Sequence, residues 1–198
     1  ITPATEDAHR DALAADFGAA DGDAEVKDLA RQPIMELERI HGFSGEQIGL
    51  MKWSKATEEI FLASGATVVA MRSKTGEGQQ RFLQGHTAHV CAMAMSNDGA
   101  LLATAQEGHS AWIRLWDAHS GSCLNVLTAH DSNMTCMDIS ADGKYMGAVG
   151  LDAKGRQVIA LWDISDVLRG QKARLVTKQI SNYNIVCLKF SPFEEGKL

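Results

Sequence analysis

The chain is paced by a short phrase that returns four times, an apolar alternation closed by serine. It reads Met51-Lys52-Trp53-Ser54, Met93-Ala94-Met95-Ser96, Met137-Asp138-Ile139-Ser140 and Leu188-Lys189-Phe190-Ser191, the serines falling 42, 44 and 51 residues apart. A period of this length marks an array in which one supersecondary unit is used repeatedly. Such a unit cannot bury its apolar face alone and must be stacked on its neighbours.

Other features keep the same step. Gly85-His86 precedes the second copy and Ala129-His130 the third, while Trp116-Asp117 and Trp162-Asp163 close the corresponding units. Asp98-Gly99 and Asp142-Gly143 follow the serines, where a tight turn needs an Asp to bond its own backbone and a Gly that accepts positive φ. Between these marks the second unit holds four apolar runs, at 90–95, 101–105, 112–116 and 123–127. Runs of five or six residues rich in β-branched and aromatic side chains are strands by length. The third unit repeats them at 134–139, 145–149, 158–162 and 174–177, with insertions at 151–157 and 164–172 and a short helical turn expected at 166–170. The first unit is degenerate, with strands expected at 48–53, 59–63, 67–71 and 80–83, and Met71-Arg72 standing where Trp-Asp would be. An outer strand is expected before it at 37–43, and 185–190 begins a further unit.

A period near 44 with Gly-His at one end and Trp-Asp at the other resembles the WD repeat. The resemblance implies an all-β chain, part of a WD-repeat β-propeller: about three four-stranded antiparallel blades plus flanking strands, in an incomplete ring. The expected propeller segment is 33–198, with blades at about 44–84, 85–128 and 129–181 and the start of the next at 182–198. In WD repeats a histidine, a Ser or Thr on the second strand, a turn Asp and the Trp of the third strand form a hydrogen-bonded set. Carried over by position, the set comprises His86, Thr104 and Trp116 in the second unit and His130 with Trp162 in the third, beside Asp117 and Asp163. The turn Asp is missing from both, Ser110 and Arg156 being the nearest occupants, so both networks are expected to be incomplete.

The net charge of −6 belongs to the leader: residues 1–30 hold eight acidic side chains against Arg10 and Lys27, and the remainder is balanced. Residues 1–32 read as an acidic Ala/Asp-rich linker, mostly disordered, with too few apolar side chains for a core. Cys91, Cys136 and Cys187 read as one recurring slot of three successive strands, the behaviour of a small core hydrophobe, and Cys123 opens an outer strand. No CxxC occurs, so no metal is expected and reduced thiols are. No signal peptide and no apolar stretch long enough to span a bilayer is present, and a soluble protein is expected.

Enzyme motifs are absent: no GxSxG, no phosphate-loop lysine, no HExxH, and Gly76-Glu77-Gly78 lacks the setting of a dinucleotide fingerprint. The histidines read as structural, and a binding scaffold that is not an enzyme and carries no cofactor is expected. A basic rim of Lys144, Arg169, Lys172 and Arg174, to which Lys55 and Lys74 add, is expected on one face and would suit an acidic partner such as a tubulin surface, although Glu58, Glu77, Asp98, Asp142 and Asp166 share that rim. The order Leu37-Glu38-Arg39-Ile40-His41-Gly42-Phe43, then Arg81-Phe82-Leu83-Gln84-Gly85-His86-Thr87, then Leu101-Leu102-Ala103-Thr104-Ala105-Gln106 resembles the propellers of centriolar WD-repeat proteins of the proteome-of-centriole type and their ciliary and microtubule-associated relatives. The Ala105-Gln106-Glu107-Gly108 loop is the most specific piece of it. This resemblance implies a microtubule-associated scaffold of the centriole or basal body or of the axoneme wall in the cilium. Its implied partners are tubulin, other centriolar or ciliary scaffold proteins and the remaining blades of the same polypeptide, with neither nucleic acid nor membrane. Two other classes stay open from the residues alone: a WD adaptor of a signalling or ubiquitin-ligase complex, and an enzyme whose site lies in further blades.

Overall fold

Three runs of four strands become three separate four-stranded antiparallel sheets, each wound in chain order. The computed structural model describes residues 37–43, 45, 48–72, 79–109 and 111–191. The architecture lies in the unit that begins at Arg39. The first sheet is β1 (Met51–Ser54), β2 (Glu59–Ser64), β3 (Thr67–Arg72) and β4 (Gln80–Leu83). The second is β5 (Val90–Met95), β6 (Leu101–Gln106), β7 (Ile113–Asp117) and β8 (Cys123–Leu127). The third is β9 (Met134–Ile139), β10 (Tyr145–Leu151), β11 (Gln157–Asp163) and β12 (Arg174–Ile180), with a 3₁₀ turn at Val167–Arg169 ended by Gly170 at φ 84°.

The sheets are blades because their faces are buried against one another. All six residues of β6 are buried, and they divide by alternation. Leu102, with Val90, Met93 and Trp116, packs on Phe61, Ala63, Val68, Ala70 and Leu83 of the first sheet. Leu101, Ala103 and Ala105, with Ile113 and Leu115, pack on Met134, Met137, Ile139, Met146, Ala148 and Trp162 of the third. The small alanines let the backbones approach while methionine and tryptophan fill the opposite wall. At the two ends of the stack no such cover exists among the described residues. Trp53 on β1 is 50% exposed and every residue of β12 is exposed, Leu175, Val176 and Ile180 among them.

The second and third sheets share their irregularities. In each, the inner strand skips one residue against its neighbour, Cys91 between Val90↔Gln106 and Ala92↔Ala105, and Thr135 between Gly150↔Met134 and Val149↔Cys136. Opposite the tryptophans the outer strands skip Leu124 and Val176. Bulges sharpen the right-handed twist that a radial blade needs. They also correct the reading of the cysteines. Cys91 takes the bulged position that Thr135 takes in the third blade, five residues before the serine, whereas Cys136 stands four before it and pairs in the ladder. Cys91 is buried, Cys136 half-buried and Cys187 exposed, and burial raises the thiols of Cys91 and Cys136 to about 11, so both are unreactive hydrophobes.

Two flanking strands expected from the sequence are absent. Residues 37–43 carry no strand. The Gln80 side-chain amide brackets Ile40 instead, donating to its carbonyl at 2.9 Å and accepting from its N–H at 2.8 Å. Residues 185–190 also pair with no strand. Gln157 donates to the Ile185 carbonyl at 2.8 Å and accepts from the Ile185 N–H, while Asp138 accepts from Lys189 Nζ at 2.9 Å and from the Phe190 N–H at 3.0 Å. A strand is defined by the ladder beside it, and no described segment supplies that ladder. The expected linker at 1–32 lies outside the described residues.

The returning serine organises the turns. In the second blade Ser96 Oγ donates to Asp98 Oδ1 at 2.5 Å and accepts the Leu101 N–H at 2.9 Å. In the third Ser140 does the same with Asp142 at 2.6 Å and the Tyr145 N–H at 2.9 Å. The first blade lacks the Asp, and Ser54, fully buried, donates instead to the carbonyl of Gly99 in the next blade at 2.7 Å. The two turns are so close that a Cβ on Gly99 would lie 2.6 Å from the Lys55 backbone nitrogen, whereas the matching Gly143 has open space. Both glycines have positive φ, 80° and 71°. Gly143→Ala is therefore expected to cost about 1–2 kcal/mol, the left-handed strain alone, and Gly99→Ala clearly more. Urea unfolding of the two variants side by side checks the order, and equal losses would remove the inter-blade contact from the account.

Candidate functional site

The polar core of the second blade is a closed chain of hydrogen bonds. Trp116 Nε1 donates to Thr104 Oγ1 at 2.7 Å, and Thr104 Oγ1 lies 2.7 Å from His86 Nε2. His86 Nδ1 lies 3.0 Å from Gln106 Oε1, which also accepts the Thr87 N–H at 3.2 Å, and Gln106 Nε2 donates to Thr87 Oγ1 at 3.1 Å. One tautomer satisfies every member. Gln106 Oε1 can only accept, so the proton sits on Nδ1; Nε2 then accepts the Thr104 hydroxyl, whose lone pair takes the indole N–H. A second proton on Nε2 would take away the acceptor of the Thr104 hydroxyl proton. Burial pushes His86 down to about 4 in the same sense, the bond to Gln106 opposing it.

Gln106 is the residue the sequence reading did not place in this set. With the turn Asp missing, its longer side chain reaches back from the end of β6 and accepts where a turn carboxylate would. Its signal lies in the Ala105-Gln106-Glu107-Gly108 phrase, which reads as loop; in the structure Gln106 is the last residue of a strand and 3% exposed.

The third blade keeps the rings and loses the chain. His130 and Trp162 stand 6.1 Å apart at 57°, against 6.1 Å and 58° for His86 and Trp116. By register the place of Thr104 is held by Ala148 and that of Gln106 by Gly150. The His130 ring fills the space over Gly150, where a Cβ would meet it at 2.9 Å. Its Nε2 bonds the Val158 carbonyl at 3.0 Å, and Nδ1 has no partner among the described residues. Burial lowers this histidine as well. The Trp-Asp carboxylates work locally: Asp117 accepts from the His119 N–H and Ser120 hydroxyl at 2.9 and 2.7 Å, and Asp163 from the Ser165 hydroxyl at 2.7 Å and N–H at 3.2 Å. These bonds hold the Asp163 carboxyl below the usual range.

The basic rim lies at one end of the sheets, where first strands turn into second and third into fourth. Most of it is compensated. Lys144 is 3.3 Å from Asp142, Arg169 2.9 Å from Asp166 and Arg174 3.3 Å from Asp163, while Lys172 is exposed. Lys74 lies outside the described residues. Exposed pairs of this kind contribute about 0–1 kcal/mol, so an acidic partner can compete for them.

At the same end a cavity of about 910 Å³ opens at the seam of the first and second blades, lined by Ala56, Thr57, Glu59, Arg72, Gln79, Arg81 and His119. Arg81 is committed to structure. It binds Glu59 at 2.5 and 3.2 Å and donates to the carbonyls of Ala118 and His119 at 2.9 and 3.1 Å, tying the blades together. Arg72 occupies the place of the Trp-Asp carboxylate, as Glu59↔Arg72 in the first blade matches Leu101↔Asp117 in the second. Among the described residues no group of three His, Cys, Asp or Glu is placed to hold a metal ion.

Residues 77–117 and 121–163 match the family model of the WD domain, G-beta repeat, over the units just described. The chain belongs to the WD-repeat family. The WD-repeat chain is 40% identical, over 89% of its length, to Centriole proteome protein 16 of Chlamydomonas reinhardtii. It is 32% identical, over 88%, to WD repeat-containing protein 90 of Xenopus tropicalis. It spans only 9% of the length of each of these relatives. A solved structure titled Structure of U3-55K superposes with a TM-score of 0.57 at 18% identity, covering 74% of this chain and 42% of that one, a likeness of fold.

Two outcomes follow. Gln106→Ala leaves the His86 Nδ1–H and the Thr87 N–H without an acceptor and is expected to cost about 1–3 kcal/mol in denaturant unfolding. The depressed histidines make stability pH-dependent with a fixed sign. Unfolded histidine titrates near 6.5 and folded His86 near 4, so between these values the unfolded chain binds the extra proton. The stability they confer is complete above pH 6.5 and lost as pH falls to 4, before most carboxylates titrate. Unfolding midpoints at pH 7 and 4.5 check it, and His86→Gln should flatten the slope.

Proposed function

We propose that the chain is a non-enzymatic, protein-binding part of a microtubule-associated scaffold of the centriole or basal body or of the axoneme wall, within the cytoskeleton. The observation that carries this is the 40% identity with a protein named for the centriole proteome, over nearly the whole chain. A further relative points the same way, the Chlamydomonas reinhardtii Cilia- and flagella-associated protein 52, 30% identical over 68% of the chain. The architecture fits such a role. Its polar groups are spent on holding blades, and what remains is surface: turns at both ends of the sheets and apolar faces at the two ends of the stack. In this reading the rim of Lys144, Arg169, Lys172 and Arg174 meets an acidic tubulin surface, and the end faces meet the remaining blades of the same polypeptide.

Co-sedimentation of the full-length protein with stabilised microtubules, together with the position of a fluorescently tagged copy in ciliated cells, tests the reading. Pelleting above background that falls with salt, and a signal at centrioles or axonemes, are expected. Lys144→Glu combined with Lys172→Glu should reduce pelleting. A folded protein that stays in the supernatant and away from both structures would favour an adaptor of another complex.

A further inference from the structure

The first blade departs from its neighbours in the sign of its charges. In the second and third blades the last residue of the third strand is an Asp that caps its own turn. In the first it is Arg72, and the buried acid stands across the ladder at Glu59, which is 5% exposed. Glu59 gives both oxygens to Arg81, while Arg72 approaches it only to 3.9 Å, beyond hydrogen-bond reach. The Arg72 side chain is 62% exposed at the wall of the 910 Å³ cavity and makes no hydrogen bond there among the described residues. A second observation points into the same place. Thr57, 7% exposed, lines the cavity, and its buried Oγ1 has no partner among the described residues. The end of β3, an Asp in the other two blades, thus carries a cationic fork on the same cavity as a hydroxyl without a partner among the described residues.

A guanidinium presents paired donors that match one carboxylate, and it binds such a group more tightly than a point charge does. Among the described lining residues two arginines stand against one glutamate, an excess of one positive charge. The volume lies at the upper end of what small-ligand pockets enclose, about 300–1,000 Å³, and so has room for more than one side chain. We propose that this cavity is a docking site for an acidic segment of a partner protein, with a Glu or Asp carboxylate of that segment seated on Arg72 and the Gln79 amide, and with Thr57 donating its hydroxyl at the floor. Arg81 and Glu59 keep the walls in place and do not themselves exchange partners. The proposal rests on the reading of the chain as a protein-binding scaffold and names one place where that binding occurs.

The test uses the full-length protein and two fluorescein-labelled hexapeptides, all-Glu and all-Gln, followed by fluorescence anisotropy. The Glu peptide is expected to bind and the Gln peptide not. Binding should weaken between 50 and 300 mM salt, since the site is partly exposed (about 10 Å screening length at 0.1 M). Arg72→Glu should reduce affinity at least tenfold and Arg72→Lys by less, because charge is kept and the fork lost. Lys154→Glu, the same charge change in the turn at the other end of the sheets, should leave affinity unchanged. Circular dichroism and the melting curve of Arg72→Glu check that the fold survives. Absence of Glu-peptide binding, or equal losses in the Arg72→Glu and Lys154→Glu proteins, overturns the proposal. Microtubule pelleting of the same wild-type preparation separates the two readings, because pelleting without peptide binding overturns the cavity and leaves the scaffold standing.

Discussion

A sheet with two apolar faces has to be covered twice, and that single requirement sets the form of the molecule. The middle blade shows the solution. Its second strand is buried from end to end because the neighbour on one side takes Leu102 and the neighbour on the other takes Leu101, Ala103 and Ala105. Everything polar inside the stack is then obliged to find a partner within its own blade or in the next. The Trp116–Thr104–His86–Gln106 chain is one answer, and Arg81 reaching from Glu59 to the carbonyls of the second blade is another.

The sequence made the strands of the second blade legible almost to the residue, since length, alternation and turn glycines all agree there. It also located the histidines and tryptophans. What it could not show was substitution by reach. Gln106 escapes a pattern that expects a carboxylate in the turn, because an amide one strand-end away satisfies the same donors with a longer arm. The loss in the third blade was visible as Ala148 and Gly150, yet only the packing of His130 over Gly150 shows that the ring stays put when its hydrogen bonds go. The flanking strands failed for a different reason. Residues 37–43 and 185–190 carry strand-like patterns, but a pattern specifies a face and not the neighbour needed to complete a ladder. The cavity was illegible because it joins residues more than sixty positions apart, Ala56 and His119, through the closeness of two blades.

The degenerate first blade is therefore the informative one. Where its relatives within the chain use serine, aspartate and glycine to close their turns, it lends its serine to the neighbour through Ser54 and Gly99 and carries Arg72 at the aspartate position. Loss of the local motif frees side chains that the other blades consume. In the proposed docking site, degeneracy and binding capacity arise from the same substitutions.

The matched repeats and the blades do not coincide. The segment 77–117 holds β4 with β5, β6 and β7, and 121–163 holds β8 with β9, β10 and β11, so each repeat donates the outer strand of one blade and the inner three of the next. Successive blades are thereby laced together like overlapping roof tiles. A pull on the chain that frays one blade must peel an edge from the one beside it, so tension spreads along the array and is not concentrated at any single joint.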